Sequence, residues 1–449
     1  MMTLPNDFLD KKICILGMGY VGLTLGVAMA RAGFSIHGLE ICDDIVEALR
    51  EGKAHFWEKN LDIHLSQAIK NNNFTFSRDL NKTIEASVYI VTVGTPLDEE
   101  NQARLDMIQN AAKQISEHMQ DGALVILRST VKIGTARNII TPILKATGKK
   151  FEIAVCPERT LEGQAIEEIS SLPQIIGADS QNTLYRAGKI FNFLTPTVVR
   201  VNSLETAEVV KLVDNTYRDV MFGFANEVAR LCDAVGISAH EVIKSGKLGY
   251  ERTNVANPGP VGGPCLEKDP HILSESALAY GIELDITPAS RRVNERQPIE
   301  IVDFIKKTFE SIKNFPKNPK ISFLGIAFKG RPETNDLRGT VAKPILELVN
   351  QKFPNSILQG FDSIVDNKDI AEFGLIPMDT LVDAFEEANI VIILNNHPIF
   401  SQIVLDEKIE IMANDGFIYD LWGLFVGQDI KMLKDFSYYA LGSQKNLNI

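Results

Sequence analysis

The stretch Gly17-Met18-Gly19-Tyr20-Val21-Gly22 decides the fold of the first part of this chain. It follows the apolar run 13–16 and precedes a segment rich in small residues and a second apolar run, 34–39. This order of strand, glycine turn, helix and strand is typical of a dinucleotide-binding unit, whose phosphates bind at the helix N-terminus. The glycines permit a tight turn, close approach of the backbone to a pyrophosphate, and close packing of the helix. We predict that the cofactor contacts Gly17, Gly19, Tyr20, Val21 and Gly22.

An acidic residue ends the second apolar run. Glu40 lies about 20 residues beyond the glycine motif, where a carboxylate accepts hydrogen bonds from a ribose diol. Asp43 and Asp44 stand beside it, and we expect no arginine within reach. A 2′-phosphate would therefore be repelled, and the sequence predicts NAD as the cofactor.

The composition, 45% hydrophobic and 23% charged in 449 residues, is that of an ordinary globular protein with two or three domains. The net charge of −12 is spread along the chain, which argues against nucleic acid or an anionic membrane as the main partner. The five cysteines are scattered without metal-ligand spacing, so neither disulfides nor a metal site is predicted. No apolar run reaches the length of a membrane span, and we expect a cytoplasmic protein.

Further strand-like runs alternate with helical stretches through the first 203 residues. They lie at 88–93, 124–127, 153–155, 174–176 and 197–201. The alternation predicts an α/β fold with a doubly wound, Rossmann-like parallel sheet, in which ligands bind at the carboxyl ends of strands. Polar turns that follow these runs contain Thr95, Thr130 and Pro157-Glu158-Arg159.

A long helix is predicted from Glu205 to about Gly236, because apolar residues recur at helical spacing without a proline. A helix of about 30 residues would span about 45 Å. More helical sequence follows to about Glu295, so the region indicates a central helical domain with a long spine helix. We interpret the spine as a homodimer core, with a purely internal bundle as the alternative.

The third region repeats the first in outline. The segment 320–330 corresponds to the opening strand and turn, and Gly360-Phe361-Asp362 corresponds to the strand that ends at Glu40. It predicts a second Rossmann-like domain, in which Ala327 replaces the middle glycine and crowds any pyrophosphate. Positive charge beside the turn comes from Lys329, Arg331 and Arg338. We interpret the turn as a nucleotide-phosphate site, with a duplicate that serves only as scaffold as the alternative.

Cys265 lies in Val261-Gly262-Gly263-Pro264-Cys265-Leu266-Glu267-Lys268-Asp269-Pro270. Proline is favoured at the first position of a helix, so Pro264 predicts that Cys265 lies in a first turn, where free amides and the macrodipole stabilise a thiolate. Asp269 would then share the helix face of Cys265. These features favour a nucleophile over the alternative, a buried cysteine after a turn.

The order of these elements resembles the UDP-glucose/GDP-mannose dehydrogenase family, over nearly the whole chain. The motifs that carry the resemblance are the cysteine loop with Asp269, Lys211-Leu212-Val213-Asp214-Asn215, and Ser129-Thr130-Val131 with Gly134. Membership implies oxidation of a nucleotide sugar's C6 alcohol to a carboxylate with two NAD⁺, through a cysteine thiohemiacetal and thioester. It also implies an NAD-binding domain at 1–203, a helical dimerisation domain at 204–300 and a UDP-sugar-binding domain at 301–449.

Physical chemistry asks for matching parts. A thiolate can hold the aldehyde for a second oxidation, which is the role of Cys265. An ammonium and an amide stabilise oxyanions, and Lys211 and Asn215, one helical turn apart, match the family's pair. Thioester hydrolysis needs a carboxylate to activate water, and three are left open as candidates: Asp269, Glu158 and Glu162. Taken singly, each of these residues could be an ordinary helix or surface residue.

The resemblance adds binding residues. It implies that Thr95 and Thr130 lie near the cofactor and that Arg338 lies near the nucleotide or the cofactor. We predict a substrate site made from Arg159, Lys211, Asn215, Arg292, Gly262 and Lys329. For Arg292 the resemblance implies a contact with substrate from the same or from a partner subunit.

The turn Pro157-Glu158-Arg159 is similar to the branch of the family that acts on UDP-N-acetylhexosamines. Lys268 looks more like the UDP-glucose branch, Pro264 replaces a histidine common among acetamido-sugar enzymes, and 53–58 departs from a proline-containing loop. We expect UDP-N-acetylmannosamine or UDP-N-acetylglucosamine as substrate, with UDP-glucose as the alternative.

Two other classes compete with this interpretation. A two-electron hydroxyacid dehydrogenase would explain the first 300 residues but would leave Cys265 and the second Rossmann-like unit without a role. A non-catalytic nucleotide-sugar sensor would bind without turnover, which the presence of Cys265, Lys211 and Asp269 disfavours.

Overall fold

The structure of the protein is a computed structural model. It describes residues 4–5, 7–81, 85–313, 315–428 and 436–444. The described residues fall into two compact units: one within Met1–Asn215 and His271–Glu283, the other within Thr216–Pro270 and Leu284–Ile449. The division into domains at 1–203, 204–300 and 301–449 stays a prediction.

The first unit contains an eight-stranded sheet in the order β3-β2-β1-β4-β5-β6-β7-β8. The strands are β1 Lys12–Leu16, β2 Ser35–Leu39, β3 Phe74–Ser77, β4 Val88–Val91, β5 Ala123–Leu127, β6 Phe151–Val155, β7 Gln174–Gly177 and β8 Val198–Val201. Every residue of β4 and β5 is buried, as expected for parallel strands covered on both faces. The predicted parallel sheet is confirmed, except that β6 and β7 pair antiparallel, at Val155 and Gly177.

Strand β3 was not predicted from the sequence. It lies at the edge of the sheet beside β2, and only Phe74 and Phe76 are buried, so its apolar signal is two residues long. A methyl group on Gly26 would lie 2.5 Å from the Phe74 ring, because the small residues of the first helix let that helix pack closely here.

Helices cover both faces of the first sheet. They are α1 Tyr20–Arg31, α2 Asp43–Arg50, α3 Leu61–Lys70, α4 Asp106–His118, a π-helix Ala136–Ile140, α5 Thr141–Lys145, α6 Ala165–Ser171 and α7 Gln181–Phe191.

The predicted spine helix is confirmed as α8, Leu204–Val235. Its start is capped by Ser203, whose hydroxyl accepts a hydrogen bond from the Thr206 amide. The helices after it are α9 Ala239–Lys247, α10 Asp269–Ala279, α11 Ile286–Glu295 and α12 Gln297–Ser311. The prediction of helical sequence through to about Glu295 was wrong for 248–268, where glycines and prolines keep the chain in turns and loops.

The second unit contains a six-stranded parallel sheet in the order β11-β10-β9-β12-β13-β14. Its strands are β9 Lys320–Leu324, β10 Ile357–Phe361, β11 Ile376–Pro377, β12 Ile390–Ile393, β13 Phe417–Asp420 and β14 Ser437–Ala440. Its helices are α13 Ala342–Lys352, α14 Asn367–Glu372, α15 Leu381–Phe385, α16 Pro398–Ser401 and α17 Leu405–Ile411. The second Rossmann-like sheet is thereby confirmed, although 325–341 forms turns and loop instead of a helix.

None of the helices seen in the described part of the chain combines the length and apolar character needed to cross a bilayer. Over the same residues, no three histidine, cysteine or acidic side chains come together as a metal site.

Candidate functional site

The glycine motif forms a turn between β1 and α1. Gly17 has φ of +96°, and its amide donates to the Leu39 carbonyl at 2.9 Å. A methyl group on Gly22 would lie 1.9 Å from the Gly17 carbonyl oxygen, whereas one on Gly19 would meet no atom within 4 Å. The structure therefore fits the three predicted uses: a left-handed turn, an open face toward a ligand, and close helix packing.

A cleft of about 350 Å³ opens at the carboxyl ends of β1, β2 and β4. Its wall includes Gly17, Gly19 and Glu40, and the N-terminus of α1 lies beside it. The Glu40 carboxylate accepts hydrogen bonds from the amides of Met18 at 3.1 Å and Cys42 at 3.2 Å. A carboxylate can accept about four hydrogen bonds, so acceptor sites remain for a ribose diol, and the cleft fits a dinucleotide.

One expectation about this cleft was wrong. Arg78, which follows β3, forms part of the cleft wall with Glu40, although the sequence was expected to offer no arginine here. Its guanidinium forms an ion pair with Asp43 at 3.0 Å. Arg78 was overlooked because the unpredicted edge strand β3 places it beside the end of β2.

Thr95 and Thr130 lie together at the ends of β4 and β5. The buried Thr95 hydroxyl donates to the Thr130 carbonyl at 2.6 Å. The preceding Ser129 hydroxyl donates to the Val93 carbonyl at 2.6 Å. These bonds fix two of the predicted site loops against each other.

Glu158 follows β6 and is held by a buried arginine. Its Oε2 accepts from Arg128 Nε at 3.0 Å and from Arg128 Nη2, and its Oε1 accepts from the amides of Arg159 at 2.7 Å and Thr160 at 2.8 Å. Burial alone would raise the pKa of the Glu158 carboxyl, but Arg128 and the Thr160 amide outweigh it and lower the pKa below its ordinary value. Glu158 is therefore an ionised carboxylate whose two oxygens are both engaged.

A second buried acid holds the other end of this loop. The Tyr20 hydroxyl donates to the Glu58 carboxylate, and the Gly163 amide donates to both groups at 2.7 Å. Burial and the Glu58 carboxylate raise the pKa of the Tyr20 hydroxyl, and burial raises the pKa of Glu58. Glu162, the neighbour of Gly163, is close enough to Tyr20 to add to the shift in its pKa.

Helix α8 brings Lys211 and Asn215 into the first unit, 9% and 5% exposed respectively. The ammonium of Lys211 contributes to the low pKa of Glu158, so these two predicted site residues are near each other. Arg159 forms an ion pair with Asp214 at 3.6 Å. One turn before Lys211, the buried Glu208 carboxylate accepts from the amides of Gly134 and Ala136, and burial raises its pKa to about 7.

The cysteine loop lies in the second unit and differs from its prediction. Helix α10 begins at Asp269, and 264–268 forms turns, so Pro264 is not the first helical residue and Cys265 is not in a first helical turn. The Cys265 carbonyl accepts from the Asp269 amide at 3.0 Å. Cys265 therefore lies in the turn before α10 and not on a helix face with Asp269. Cys265 is exposed, whereas Asp269 is fully buried and bonded to Lys268 Nζ at 2.6 Å. The glycines before Pro264 favour turns over helix and explain the difference.

A buried network supports this loop. The Arg291 guanidinium donates to the Leu266 carbonyl at 3.2 Å and to Asp219 Oδ1 at 2.5 Å. The loop is also held upstream, where Asn226 bonds the amide and the carbonyl of Gly259, both at 3.0 Å. Asn226 of α8 and Arg291 of α11 therefore hold the loop on the two sides of Gly262.

The second Rossmann-like turn also touches the cysteine loop. The Gly263 amide donates to the Gly339 carbonyl at 2.7 Å, and a methyl group on Gly262 would lie 2.3 Å from that same carbonyl oxygen. Lys329 places its ammonium 5.2 Å from the centroid of the Phe328 ring.

The two remaining predicted arginines are exposed in the second unit. Arg292 is exposed on α11, and Arg338 forms an ion pair with Asp336 at 2.6 Å. The roles of the predicted site residues in binding and catalysis stay predictions.

Several supporting residues were not assigned a role from the sequence: Arg78, Arg128, Glu58, Glu208, Asp219 and Arg291. A buried arginine directly before the Ser129-Thr130 turn was a signal that could have been read, because an arginine at the end of a central strand needs an acidic partner. The others are ordinary helix or loop residues in the sequence, and only tertiary contacts distinguish them.

Sequence models of the UDP-glucose/GDP-mannose dehydrogenase family match three parts of the chain. The NAD binding domain matches residues 11–195, the central domain 205–296 and the UDP binding domain 322–426. The predictions of NAD as cofactor and of a UDP-sugar as the class of substrate are confirmed by these matches.

Characterised relatives cover the chain almost from end to end. UDP-N-acetyl-D-mannosamine dehydrogenase of Campylobacter jejuni is 31% identical over 90% of this chain and 99% of its own length. The enzyme of the same name from Methanocaldococcus jannaschii is 28% identical over 99% and 100%. The solved structure of the UDP-D-ManNAc dehydrogenase of Pyrococcus horikoshii superposes with a TM-score of 0.85 at 27% identity, covering 96% of this chain and 99% of that one. The chain thus belongs to the UDP-glucose/GDP-mannose dehydrogenase family and is an NAD-dependent nucleotide sugar dehydrogenase.

Proposed function

We propose that the protein oxidises the C6 alcohol of a UDP-N-acetylhexosamine, UDP-N-acetylmannosamine or UDP-N-acetylglucosamine, to the uronic acid. The observation that carries this proposal is the near full-length similarity to UDP-N-acetyl-D-mannosamine dehydrogenases. The overall reaction consumes one alcohol, two NAD⁺ and one water, and yields one carboxylate, two NADH and three protons. UDP-glucose is the alternative substrate.

Cys265 is the proposed nucleophile. Its exposure and its place between two glycines and a buried network suit a thiol that must meet a substrate. The thiolate adds to the C6 aldehyde formed in the first oxidation and gives a thiohemiacetal, which the second oxidation converts to a thioester. Bound NAD⁺ supplies the hydride acceptor for each oxidation, and Gly17, Gly19 and Glu40 would hold it.

Lys211 and Asn215 are proposed to stabilise negative charge on the C6 oxygen. Both are nearly buried on one face of α8, where an ammonium and an amide act more strongly than in water. Lys211 also lies near Glu158, whose pKa its ammonium helps to lower.

Hydrolysis of the thioester needs a carboxylate that can take a proton from water. The engaged oxygens and low pKa of Glu158 make it a weak base, so we assign it to holding the loop together with Arg128. Glu162 and Asp269 are the remaining candidates for activating water, and their division of labour is left open.

The other predicted binding residues keep their proposed roles. Arg159 is only partly buried and ion-paired loosely with Asp214, so it can reach a polar group of the sugar such as an acetamido oxygen. Thr95, Thr130 and Arg338 are proposed to contact the cofactor or nucleotide. The proposed contacts to the UDP-sugar are Gly262, Arg292 and Lys329.

A homodimer through α8 is also proposed. Tyr217, Phe224 and Leu231 are 64%, 55% and 64% exposed and recur every seven residues, the spacing of a helix-pairing seam. Val213 and Val235 extend the same exposed series. Phe224→Glu should convert a dimer into a monomer in analytical ultracentrifugation, and a wild-type monomer at micromolar concentration would refute the assignment.

The central test combines a substrate panel with a cysteine variant. Wild-type protein with NAD⁺ should oxidise one UDP-N-acetylhexosamine faster than UDP-glucose and release two NADH per sugar, measured by absorbance and product mass. Cys265→Ala should bind NADH with unchanged affinity but form no uronic acid. One NADH per sugar, or acid formation by Cys265→Ala at near the wild-type rate, would exclude the covalent four-electron route. Preference for UDP-glucose would replace the substrate assignment alone.

A further inference from the structure

Arg78, which lines the cofactor cleft beside Glu40, forms an ion pair with Asp43. Arg78 shares the cleft wall with Glu40 and Ile41, while Asp43 is the first residue of α2. Arg78 Nη1 lies 3.0 Å from Asp43 Oδ2. The cation that a ribose 2′-phosphate would require is therefore present, but it is neutralised by a carboxylate of the same protein.

We propose that Asp43 is a determinant of cofactor specificity, because it keeps Arg78 from serving a 2′-phosphate. Glu40 repels the phosphate directly and binds the diol of NAD. Asp43 also favours NAD over NADP, because it forms an ion pair with Arg78. Glu40, Asp43 and Arg78 together therefore disfavour NADP.

The physical argument rests on the competition for one guanidinium. Both members of the pair are exposed, 58% for Arg78 and 66% for Asp43, so the pair adds little to stability, but a 2′-phosphate that approaches Arg78 must displace the Asp43 carboxylate and meet its negative charge. Once Asp43 is neutralised, the guanidinium is released to donate to several acceptor oxygens of the phosphate. Neutralising only Glu40 leaves Arg78 engaged, whereas neutralising Glu40 and Asp43 releases it.

The test uses binding of NADPH and NADH, followed by nicotinamide fluorescence, and needs no sugar substrate. Glu40→Ser/Asp43→Asn should bind NADPH about 10- to 100-fold more tightly than Glu40→Ser alone, as expected for one charge-assisted contact. Adding Arg78→Gln to the double variant should remove that gain.

A matched control separates the ion pair from general charge. Asp44 carries the same charge one residue further along α2, and the ion pair of Arg78 is with Asp43. Glu40→Ser/Asp44→Asn should therefore gain clearly less NADPH affinity than the Asp43 variant. Equal gains from Asp43 and Asp44, or a gain that survives Arg78→Gln, would overturn the proposal.

Folding of each variant is checked by thermal unfolding. The Glu40 carboxylate accepts two backbone amides, so Glu40→Gln, which keeps one oxygen, repeats the series should the serine variants unfold. The experiment measures cofactor binding without a sugar, so its outcome does not depend on which UDP-sugar the enzyme oxidises.

Discussion

The two Rossmann-like turns of this chain share a backbone frame but differ in what they leave open to a ligand. Gly17 and Gly325 have φ of +96° and +81°, and each amide donates at 2.9 Å to the last residue of the neighbouring strand. The similarity extends to the second strand of each sheet. A methyl group on Gly38 would overlap the Met18 side chain, and one on Gly360 would overlap the Ile326 side chain. The repeated frame is thus a solution for packing a turn on a sheet, independent of the ligand.

The difference begins at the third position of the motif. Gly19 faces open space and is followed at once by α1, whereas Ala327 is followed by a loop, and α13 begins only at Ala342. The acidic residue after the second strand differs as well. Glu40 accepts two backbone amides, but Asp362 accepts four: those of Ile326, Ala327, Ile364 and Val365. The first turn keeps a helix end and a carboxylate for a dinucleotide, whereas the second turn has no helix end beside it and uses its carboxylate to bind its own backbone.

An aromatic residue at the fourth position has a corresponding use in both turns. Tyr20 holds the loop that carries Glu158 and Gly163, through its hydroxyl. Phe328 packs so closely on the cysteine loop that a methyl group on Gly263 would lie 2.4 Å from its ring. Each turn therefore supports one loop of predicted site residues, by a hydrogen bond in one unit and by packing in the other.

The largest expected effect tests the open face of the first turn. Gly19→Val should weaken NADH binding by more than about 100-fold, because its side chain would fill the space where the pyrophosphate approaches. The backbone at Gly19, with φ of −66°, is allowed for valine, so thermal unfolding should change little. Isothermal titration with NADH provides the measurement.

Two companion variants sharpen that result. Gly22→Ala should lower the thermal stability as well as NADH binding, because its methyl group would overlap the Gly17 carbonyl. Ala327→Gly should not create a second NADH site, because no helix begins beside it. A second site in Ala327→Gly would show that the missing glycine, and not the missing helix end, separates the two turns.

A smaller effect, on the KM for the UDP-sugar, is expected when Tyr20 of the first turn is replaced by phenylalanine, the residue that the second turn has at Phe328. Tyr20→Phe removes the hydroxyl that donates to Glu58 and accepts from Gly163. We expect the KM for the UDP-sugar to rise about 10-fold, equal to about one hydrogen bond to a charged group, with NADH affinity changed less than about twofold.

Tyr89→Phe is the matched control for Tyr20→Phe. Its hydroxyl is buried in the same unit and has no hydrogen-bond partner among the described residues, so its removal should leave the KM unchanged. Steady-state kinetics compare the two variants. An equal rise of the KM in both variants would mean that the hydrogen bonds of the Tyr20 hydroxyl do not position the substrate loop.

The sequence predicted the frame of both turns because glycine spacing and apolar runs are local signals. The motif at Gly17, the helix from Glu205 and the strand that begins at Lys320 all depend on residues within about one element. The edge strand β3 was missed because its only buried residues are Phe74 and Phe76. Arg78 was missed together with that strand.

The contacts that hold the loops could not be predicted, because they join residues far apart in the chain. Glu58 meets Gly163, and Arg291 meets Leu266, through tertiary packing that leaves no periodic trace in the sequence. The error at Pro264 has a different cause. A proline before a polar segment commonly begins a helix, but the two preceding glycines favour turns, and the helix begins four residues after Cys265.

The smallest expected effect concerns a strand position that carries a histidine in the first unit and a glutamine in the second. His37 on β2 occupies the register of Gln359 on β10, because Gly38 and Gly360 follow them in the repeated frame. His37 lies between the hydroxyls of Thr75 and Ser77, at 2.8 and 2.7 Å. Burial, helped by Arg50, lowers the pKa of His37 to about 4.

A histidine with a depressed pKa in the folded state stabilises the fold only while it is neutral. Its contribution is complete above the unfolded pKa of about 6.5 and is lost as the pH falls toward 4. His37→Gln should therefore lose less stability than the wild type between pH 7.5 and pH 4.5, by about 1 kcal/mol after allowing for its partial exposure. Urea unfolding at the two pH values measures the difference, with His118→Gln, at the last residue of α4, as the control. If the free energy of unfolding changed equally with pH in wild type and His37→Gln, the first sheet would tolerate a charged His37. Glutamine, as at Gln359 in the second unit, would then give no gain in stability at low pH.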